Sequence, residues 1–215
     1  MLDTRLKMVY DLVPGGVLCD VGTDHAKLPV FAVKSGKATR ALACDVNKGP
    51  LISADANIRE NGLSDKIKTV LSNGFLSIDD ADFESVDCFV MAGMGGELIE
   101  SIISAKKTNA YLVLQPQSAY YELLDYLFKN GYGVLKQVFC TQGHRHYNAM
   151  LVKRGAGCDN TDYFVNAQKD DAFYKFIKKE KERVSFAISC IKNSNAPDRD
   201  RLLRLEHILN QLERE

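Results

Sequence analysis

From residue 17 to residue 130 the sequence repeatedly alternates a short apolar run with a stretch at helical spacing, and this rhythm constrains the fold more than any single motif. The strand-like runs lie at 17–20, 40–45, 67–71, 85–91 and 110–115, and the helical stretches at 26–35, 50–61, 96–107 and 118–130. The runs VDCFVM and AYLVL are almost continuously apolar, as strands are when helices cover both faces of a parallel sheet. Such alternation implies right-handed βαβ units and an open, mostly parallel sheet. Ahead of it, Leu2, Leu6, Val9 and Val13 predict a helix over 2–13, stopped by Pro14-Gly15-Gly16. After Gly131 the rhythm changes. Residues 132–140 and 147–153 are two strand-like runs joined only by TQGHRH, which leaves no room for a helix and predicts an antiparallel hairpin.

The remaining chain is of another kind. The segment GAGCDNTD (155–162) reads as a linker between a domain over 1–156 and a second over 160–215. Residues 163–193 carry Phe173, Phe176, Ile177, Val184, Ala187, Ile188 and Ile191 as an apolar stripe, and a second stripe runs through Leu202, Leu205, Ile208, Leu209 and Leu212. The polar turn at 193–197 between them predicts a helical hairpin or short coiled coil. From Asp162 onward there are 11 Lys and Arg against 10 Asp and Glu, so the tail is almost neutral. Its cations crowd into Lys175, Lys178, Lys179, Lys181 and Arg183, which suit either a solvated helix face or an RNA backbone.

Composition sets limits. With 28 basic and 28 acidic residues in 215, any nucleic-acid contact must be a local patch. No stretch approaches the ~20 apolar residues of a membrane span, and charges interrupt the first residues too often for a signal peptide. The six cysteines, at 19, 44, 88, 140, 158 and 190, form no CxxC pair. They read as reduced residues of a cytoplasmic protein, with no zinc or other metal site.

In a sheet of this kind the ligand lies along the carboxyl ends of the strands. Asp20 and Gly22 end the first strand. Asp45 ends the second, 23 residues after Gly22, where a carboxylate can accept both hydroxyls of a ribose. Asn73 and Gly74 follow the third, and the amide suits an adenine edge. After the fourth comes Ala92-Gly93-Met94-Gly95-Gly96, a loop nearly stripped of side chains, which suits close approach to a ligand or simply a flexible turn. A dinucleotide requires G-x-G-x-x-G, yet Gly22 is followed by Thr23, Asp24 and His25. S-adenosylmethionine has no pyrophosphate and is permitted by one glycine. The terminal hairpin agrees, because dehydrogenases usually carry a sixth parallel strand. The expected fold is therefore α/β: a Rossmann-like class I methyltransferase domain with a seven-stranded sheet, followed by the helical hairpin.

The stretch DVGTDHAKLP (20–29), the loop AGMGG (92–96), the segment LQPQ (114–117) and the helical tail together resemble the bacterial tRNA (adenine-22 N1) methyltransferase family. The resemblance runs from about Leu2 to Arg154. It implies an S-adenosylmethionine-dependent enzyme that methylates adenine N1 in the D-loop region of tRNA, with the helical tail helping to hold the tRNA. The chain departs from the family in having SNGF where a GDGL-like turn is frequent and LQPQ where LQPN is frequent. The implied cofactor contacts are Asp20, Gly22, Asp45, Asn73, Gly74, Ala92, Gly93, Met94 and Gly95. For the reaction itself, Asp24 and then His25 are the candidates to face the exocyclic amine. Asp24 reads equally as a helix N-cap, and His25 as a satisfied, half-buried histidine. Met94, Pro116 and Tyr120 suit a slot for the flipped base, and Gln117, Arg145, Lys178 and Lys179 suit further RNA contacts. Arg145, with His144 and His146, reads equally as an exposed turn. A small-molecule methyltransferase, with the tail as a dimer contact, and a non-catalytic nucleotide-binding module are the competing functions. Monomer and dimer both remain open.

Overall fold

The computed structural model describes residues 1–157, 161–194 and 196–215. Cys158 and the centre of the expected linker, with the boundary residue Asn160, lie outside the described residues, as does Asn195 of the expected turn. The chain runs α1 (Thr4–Leu12), β1 (Gly16–Val21), α2 (Lys27–Lys34), β2 (Ala38–Asp45), α3 (Lys48–Glu60), β3 (Ile67–Leu71), α4 (Asp80–Glu84), β4 (Cys88–Met94), α5 (Gly96–Ala105), β5 (Tyr111–Pro116), α6 (Tyr120–Lys129), β6 (Tyr132–Gln142), β7 (Arg145–Arg154), α7 (Asp171–Lys192) and α8 (Arg199–Glu213). The strands form one seven-stranded sheet in the order β3-β2-β1-β4-β5-β7-β6. The first five are parallel, β7 is antiparallel to β5, and β6 is antiparallel to β7. This is the Rossmann-like methyltransferase arrangement with its terminal hairpin.

Two apolar layers hold the sheet. One packs α1, α2 and α3 on Leu18, Ala41, Val90, Val113 and Ala149. The other packs α5, α6 and α7 on Cys19, Phe89, Leu114, Met150 and Val152. Alternate residues of β5 and β7 thus enter opposite layers, as the pleat requires. The central strands bury both faces, which explains why β4 and β5 are apolar throughout. Cys19, Cys44, Cys88 and Cys140 are free thiols buried in this sheet, whereas Cys190 is free and exposed. Among the described residues no helix is long and apolar enough to cross a membrane.

Three local differences from expectation have physical causes. α4 is short, opened by the Asp79 side chain accepting from the Asp82 amide, and too brief to show a helical period. α1 begins at Thr4 because Asp3 caps it, its carboxylate accepting from the Leu6 amide at 2.7 Å. α7 begins at Asp171, capped by Asp170, and not at 163. The preceding residues lie along the outer edge of β6: the Gln137 amide donates to the Asn166 carbonyl, and the Gln168 amide to the Gln137 carbonyl. The Gln137 side chain, fully buried, donates in turn to the carbonyls of Tyr163 at 3.0 Å and Val165 at 2.9 Å. This segment covers an edge strand that otherwise exposes unpaired amides. Tyr163, Phe164, Phe173, Phe176 and Ile177 join the apolar layer of β4 to β7, and α8 closes over α7 with Ile208 and Leu212.

Candidate active site

The carboxyl ends of β1 to β5 bring the expected cofactor residues onto one edge of the sheet. β1 delivers Asp20, a residue 7% exposed whose carboxylate accepts a 2.7 Å hydrogen bond from the Thr23 hydroxyl. Burial pushes its pKa up to about 6; the Thr23 bond opposes the rise, and the nearby charges of Asp24 and Asp45 add to it. Beyond it the chain turns over the end of β2, the amides of Gly22 and Thr23 both donating to the Cys44 carbonyl at 2.9 and 2.8 Å. Gly22 has φ +78°, and a Cβ there would stand 2.8 Å from the Met94 methyl. The Met94 methyl is the mobile end of a flexible side chain, so it is the left-handed φ of Gly22, more than the close approach, that favours glycine here.

Asp45 ends β2 half-buried, with one carboxylate oxygen fixed by the Asn47 amide at 2.7 Å. Asn73 is exposed after β3, and Gly74 is buried beneath Ile102 with φ +60°. At the end of β4, Ala92 is half-buried and Gly93 has φ +83°, and just beyond it Gly95 opens α5 as its N-cap without a side-chain bond. Gly96 has a structural task, since a Cβ there would stand 2.4 Å from the Ala119 carbonyl. The loop after β5 is locked to this one by the Gln117 amide donating to Met94 and the Gly96 amide donating to Ser118, each at 2.9 Å.

Asp24 and His25 stand exposed beside this crevice. Neither local reading of them holds. α2 starts at Lys27, with Ala26 at φ 50° as an N-cap that makes no side-chain bond, so Asp24 does not cap it. Its carboxylate instead accepts from Lys27 Nζ at 2.6 Å and faces His25 Nε2 at 3.5 Å. The Lys27 hydrogen bond, ahead of the surrounding positive charges, holds the Asp24 pKa below its usual value. His25 is not half-buried: its side chain is 53% exposed, its φ is 55°, and its carbonyl accepts from Asn57 Nδ2 at 2.7 Å. Two successive non-glycine residues at positive φ form a strained turn beside the crevice.

Sequence reading missed Arg5 and Gln115. Arg5, on α1, donates from Nη1 to the Gln115 side-chain oxygen at 2.8 Å and lies over the Tyr147 ring, 6.0 Å from its centroid. A Cβ on Gly93 would stand 3.2 Å from Arg5 Nη1, so the guanidinium packs against the glycine loop. Gln115 is fully buried; its amide donates to the Pro116 carbonyl at 3.0 Å, and its oxygen also receives Gln117 Nε2 at 3.4 Å.

On the other side of the 116–119 loop a cleft of about 860 Å³ opens between the terminal hairpin, α6 and the two C-terminal helices. Pro116, Gln117, Arg145 and Lys179 line it, together with Arg183, Arg201 and Arg204. Lys178 is exposed and is not among its lining residues. Arg204 bridges to Glu122 at 2.9 Å and Asp125 at 2.8 Å, and Arg183 to Glu180 at 2.7 Å. No described residue forms an ion pair with the side chain of Arg145 or Arg201. No group of three or more metal-ligating side chains occurs among the described residues.

Known proteins share this arrangement. A family model described as a methyltransferase domain matches residues 2–150. The tRNA (adenine(22)-N(1))-methyltransferase of Bacillus subtilis is 31% identical over 159 residues, a stretch covering 72% of this chain and 66% of that relative, just under two thirds of its length. A solved structure of the Bacillus subtilis m1A22 tRNA methyltransferase superposes with a TM-score of 0.84 at 25% identity, over 100% of this chain and 98% of the other. A Streptococcus pneumoniae protein described as a candidate tRNA (m1A22) methyltransferase, solved with S-adenosyl-L-methionine, is 28% identical with a TM-score of 0.82, over 100% and 99% of the two chains. The chain belongs to the methyltransferase-domain family, and both its sequence and its whole fold are similar to those of tRNA adenine-22 N1 methyltransferases.

Proposed function

We propose that the protein transfers a methyl group from S-adenosylmethionine to N1 of adenine 22 in tRNA. The observation that carries this reading is that one loop, residues 116–119, is hydrogen-bonded to the glycine loop at the strand-end crevice and also lines the cationic cleft. A reacting base can enter the first while its backbone lies in the second.

The crevice suits the cofactor. Asp20 is a buried carboxyl with no cationic partner among the described residues, and a ligand ammonium would supply one. Asp45 faces a ribose diol, Asn73 and Gly74 an adenine edge, and the backbone of Gly22 and of Ala92 to Gly95 leaves room for the remainder. When bound, S-adenosylmethionine supplies an electrophilic methyl group on a sulfonium centre. Adenine N1 carries an in-plane lone pair, so the protein's main task is positioning. N1-methylation makes the base cationic, and a carboxylate facing its N6 amine stabilises that charge and can accept the N6 proton. Asp24 has the required form: Lys27 keeps it ionised, and it is exposed at the mouth of the crevice. His25 Nε2, 3.5 Å from it, is a second polar group at the same mouth.

The cleft suits RNA. Arg145 and Arg201 supply guanidinium groups that pair with no described residue, Lys179 and Arg183 add charge along α7, and Pro116 and Gln117 stand where the base passes inward. Lys178 belongs to the outer surface of α7 and contacts only RNA that extends past the cleft. In this division residues 1–156 hold the cofactor and residues 160–215 help to hold the tRNA.

Incubation with labelled S-adenosylmethionine and a tRNA transcript carrying adenine 22, followed by nucleoside digestion, should yield 1-methyladenosine. The same transcript with guanine at position 22 should yield none. Absence of the product from the first transcript, or its persistence in the second, refutes the assignment.

A further inference from the structure

Among the described residues one buried side-chain polar atom has no hydrogen-bond partner: Nδ2 of Asn148. The fold satisfies its other buried amides. Gln115 donates to Pro116, Gln137 to Tyr163 and Val165, and Gln211 to Thr161. A buried amide hydrogen without an acceptor is costly, and its survival calls for an explanation. Asn148 is 5% exposed and lies in the wall of the cationic cleft. β5 and β7 pair antiparallel through Leu114 opposite Met150, and the same register carried two residues further sets Asn148 level with Pro116. Asn148 therefore stands at the carboxyl end of the parallel sheet, where the cleft meets the crevice, on the strand face shared with Met150 and Val152.

We propose that Asn148 reads the Hoogsteen edge of the target adenine, an assignment that rests on the adenine-N1 methyltransferase reading. An asparagine amide presents a donor beside an acceptor, and adenine presents N7 as acceptor beside N6 as donor. A Watson–Crick contact would cover N1, the atom that must react. The Hoogsteen edge leaves N1 and its lone pair free. It also uses only the N6 hydrogen on the N7 side, so the one beside N1 remains for Asp24. Guanine places an oxygen where adenine has its amine, which would set two acceptors against each other. The orphan hydrogen of Asn148 is thus satisfied on arrival of the correct base.

The test is a cycle of single-turnover methylation rates. Wild-type protein, Asn148→Ala and Asn148→Asp are each given two ligated tRNAs, one with adenine and one with 7-deazaadenine at position 22. A bidentate base contact predicts that loss of N7 slows the wild type by about tenfold or more. Asn148→Ala should be slowed similarly on normal tRNA and be almost indifferent to the 7-deaza change. Asn148→Asp, which keeps the shape but offers N7 no hydrogen, should also be slow and indifferent. S-adenosylmethionine affinity should be unchanged in both variants, a result that separates base reading from general damage. An unchanged wild-type rate on the 7-deaza tRNA overturns the proposal, and so does full 7-deaza sensitivity in the variants. If the alanine variant does not fold, the aspartate variant completes the cycle. A wild type inactive on the normal tRNA removes the methyltransferase reading and this assignment with it, whereas an active wild type without N7 coupling removes this assignment alone.

Discussion

Replacing Asp20 by Asn should stabilise the ligand-free protein at neutral pH. Burial raises the carboxyl pKa from 3.8 to about 6, a difference that corresponds to about 3 kcal/mol between its charged and neutral forms. A raised acid pKa means that the folded state binds the proton more tightly than the unfolded state. The stability contributed by Asp20 is therefore complete below its unfolded pKa and is lost as pH rises through the folded value near 6. Asparagine remains neutral at every pH and can still accept from the Thr23 hydroxyl. Its advantage should be up to about 3 kcal/mol at pH 7.5, about half of that at pH 5, and little by pH 4. For a chain of this size the full value raises the melting temperature by roughly 6–12 °C. Urea denaturation of both proteins across that pH series measures it directly. Cofactor binding should move the opposite way, because the ammonium of S-adenosylmethionine loses its carboxylate: the variant should bind more weakly at pH 7.5, and wild-type affinity should itself fall below pH 6. A variant no more stable than wild type at pH 7.5, or an advantage independent of pH, would show that the Asp20 carboxylate is not penalised by its burial.

Asp45→Ala should weaken S-adenosylmethionine binding by more than about tenfold, roughly 1.4 kcal/mol, measured by titration calorimetry; unchanged affinity would place the ribose elsewhere. Arg5→Ala removes the 2.8 Å bond to Gln115 and leaves that buried oxygen with only the 3.4 Å contact from Gln117. It should cost about 1–3 kcal/mol in urea denaturation, and an unchanged midpoint would show that Gln115 finds another donor. Gly96→Ala drives a methyl group to 2.4 Å from the Ala119 carbonyl. Because the obstacle is backbone, the locked loops after β4 and β5 must part at a cost of about 1–3 kcal/mol, and an unchanged melting temperature would show that they are free to move.

Parallel strands buried on both faces announce themselves in sequence, and so β1, β4 and β5 and the closing hairpin were legible as apolar runs. The failures lie where tertiary context outweighs local pattern. Tyr163 and Phe164 fit the spacing of a helix that would begin at 163, but they serve the apolar layer and the edge of β6, with Asn166 at φ 56° turning the chain. Asp24 lies two residues before Ala26, where a cap is plausible, yet the left-handed turn through His25 and Ala26 directs its carboxylate to Lys27 instead. No propensity scale reports two successive alanine-sized or larger residues at positive φ, because the surrounding turn imposes them.

The candidate site divides along the same line. Asp20, Asp45 and Asn73 stand at the carboxyl ends of three consecutive parallel strands, and a parallel register places strand ends side by side, so position in sequence was enough to assemble them. Arg5, Gln115 and Asn148 meet the site through contacts that no local spacing encodes: an N-terminal helix reaches β5, and an antiparallel strand returns beside it. One signal for Asn148 was nevertheless available. In YNAMLVK, strand alternation places Asn148 on the same face as Met150 and Val152, which makes it a polar residue on an apolar row. Such a residue requires an internal partner or an external one, and no described residue partners Nδ2, which is the observation from which the contact with the target adenine is inferred.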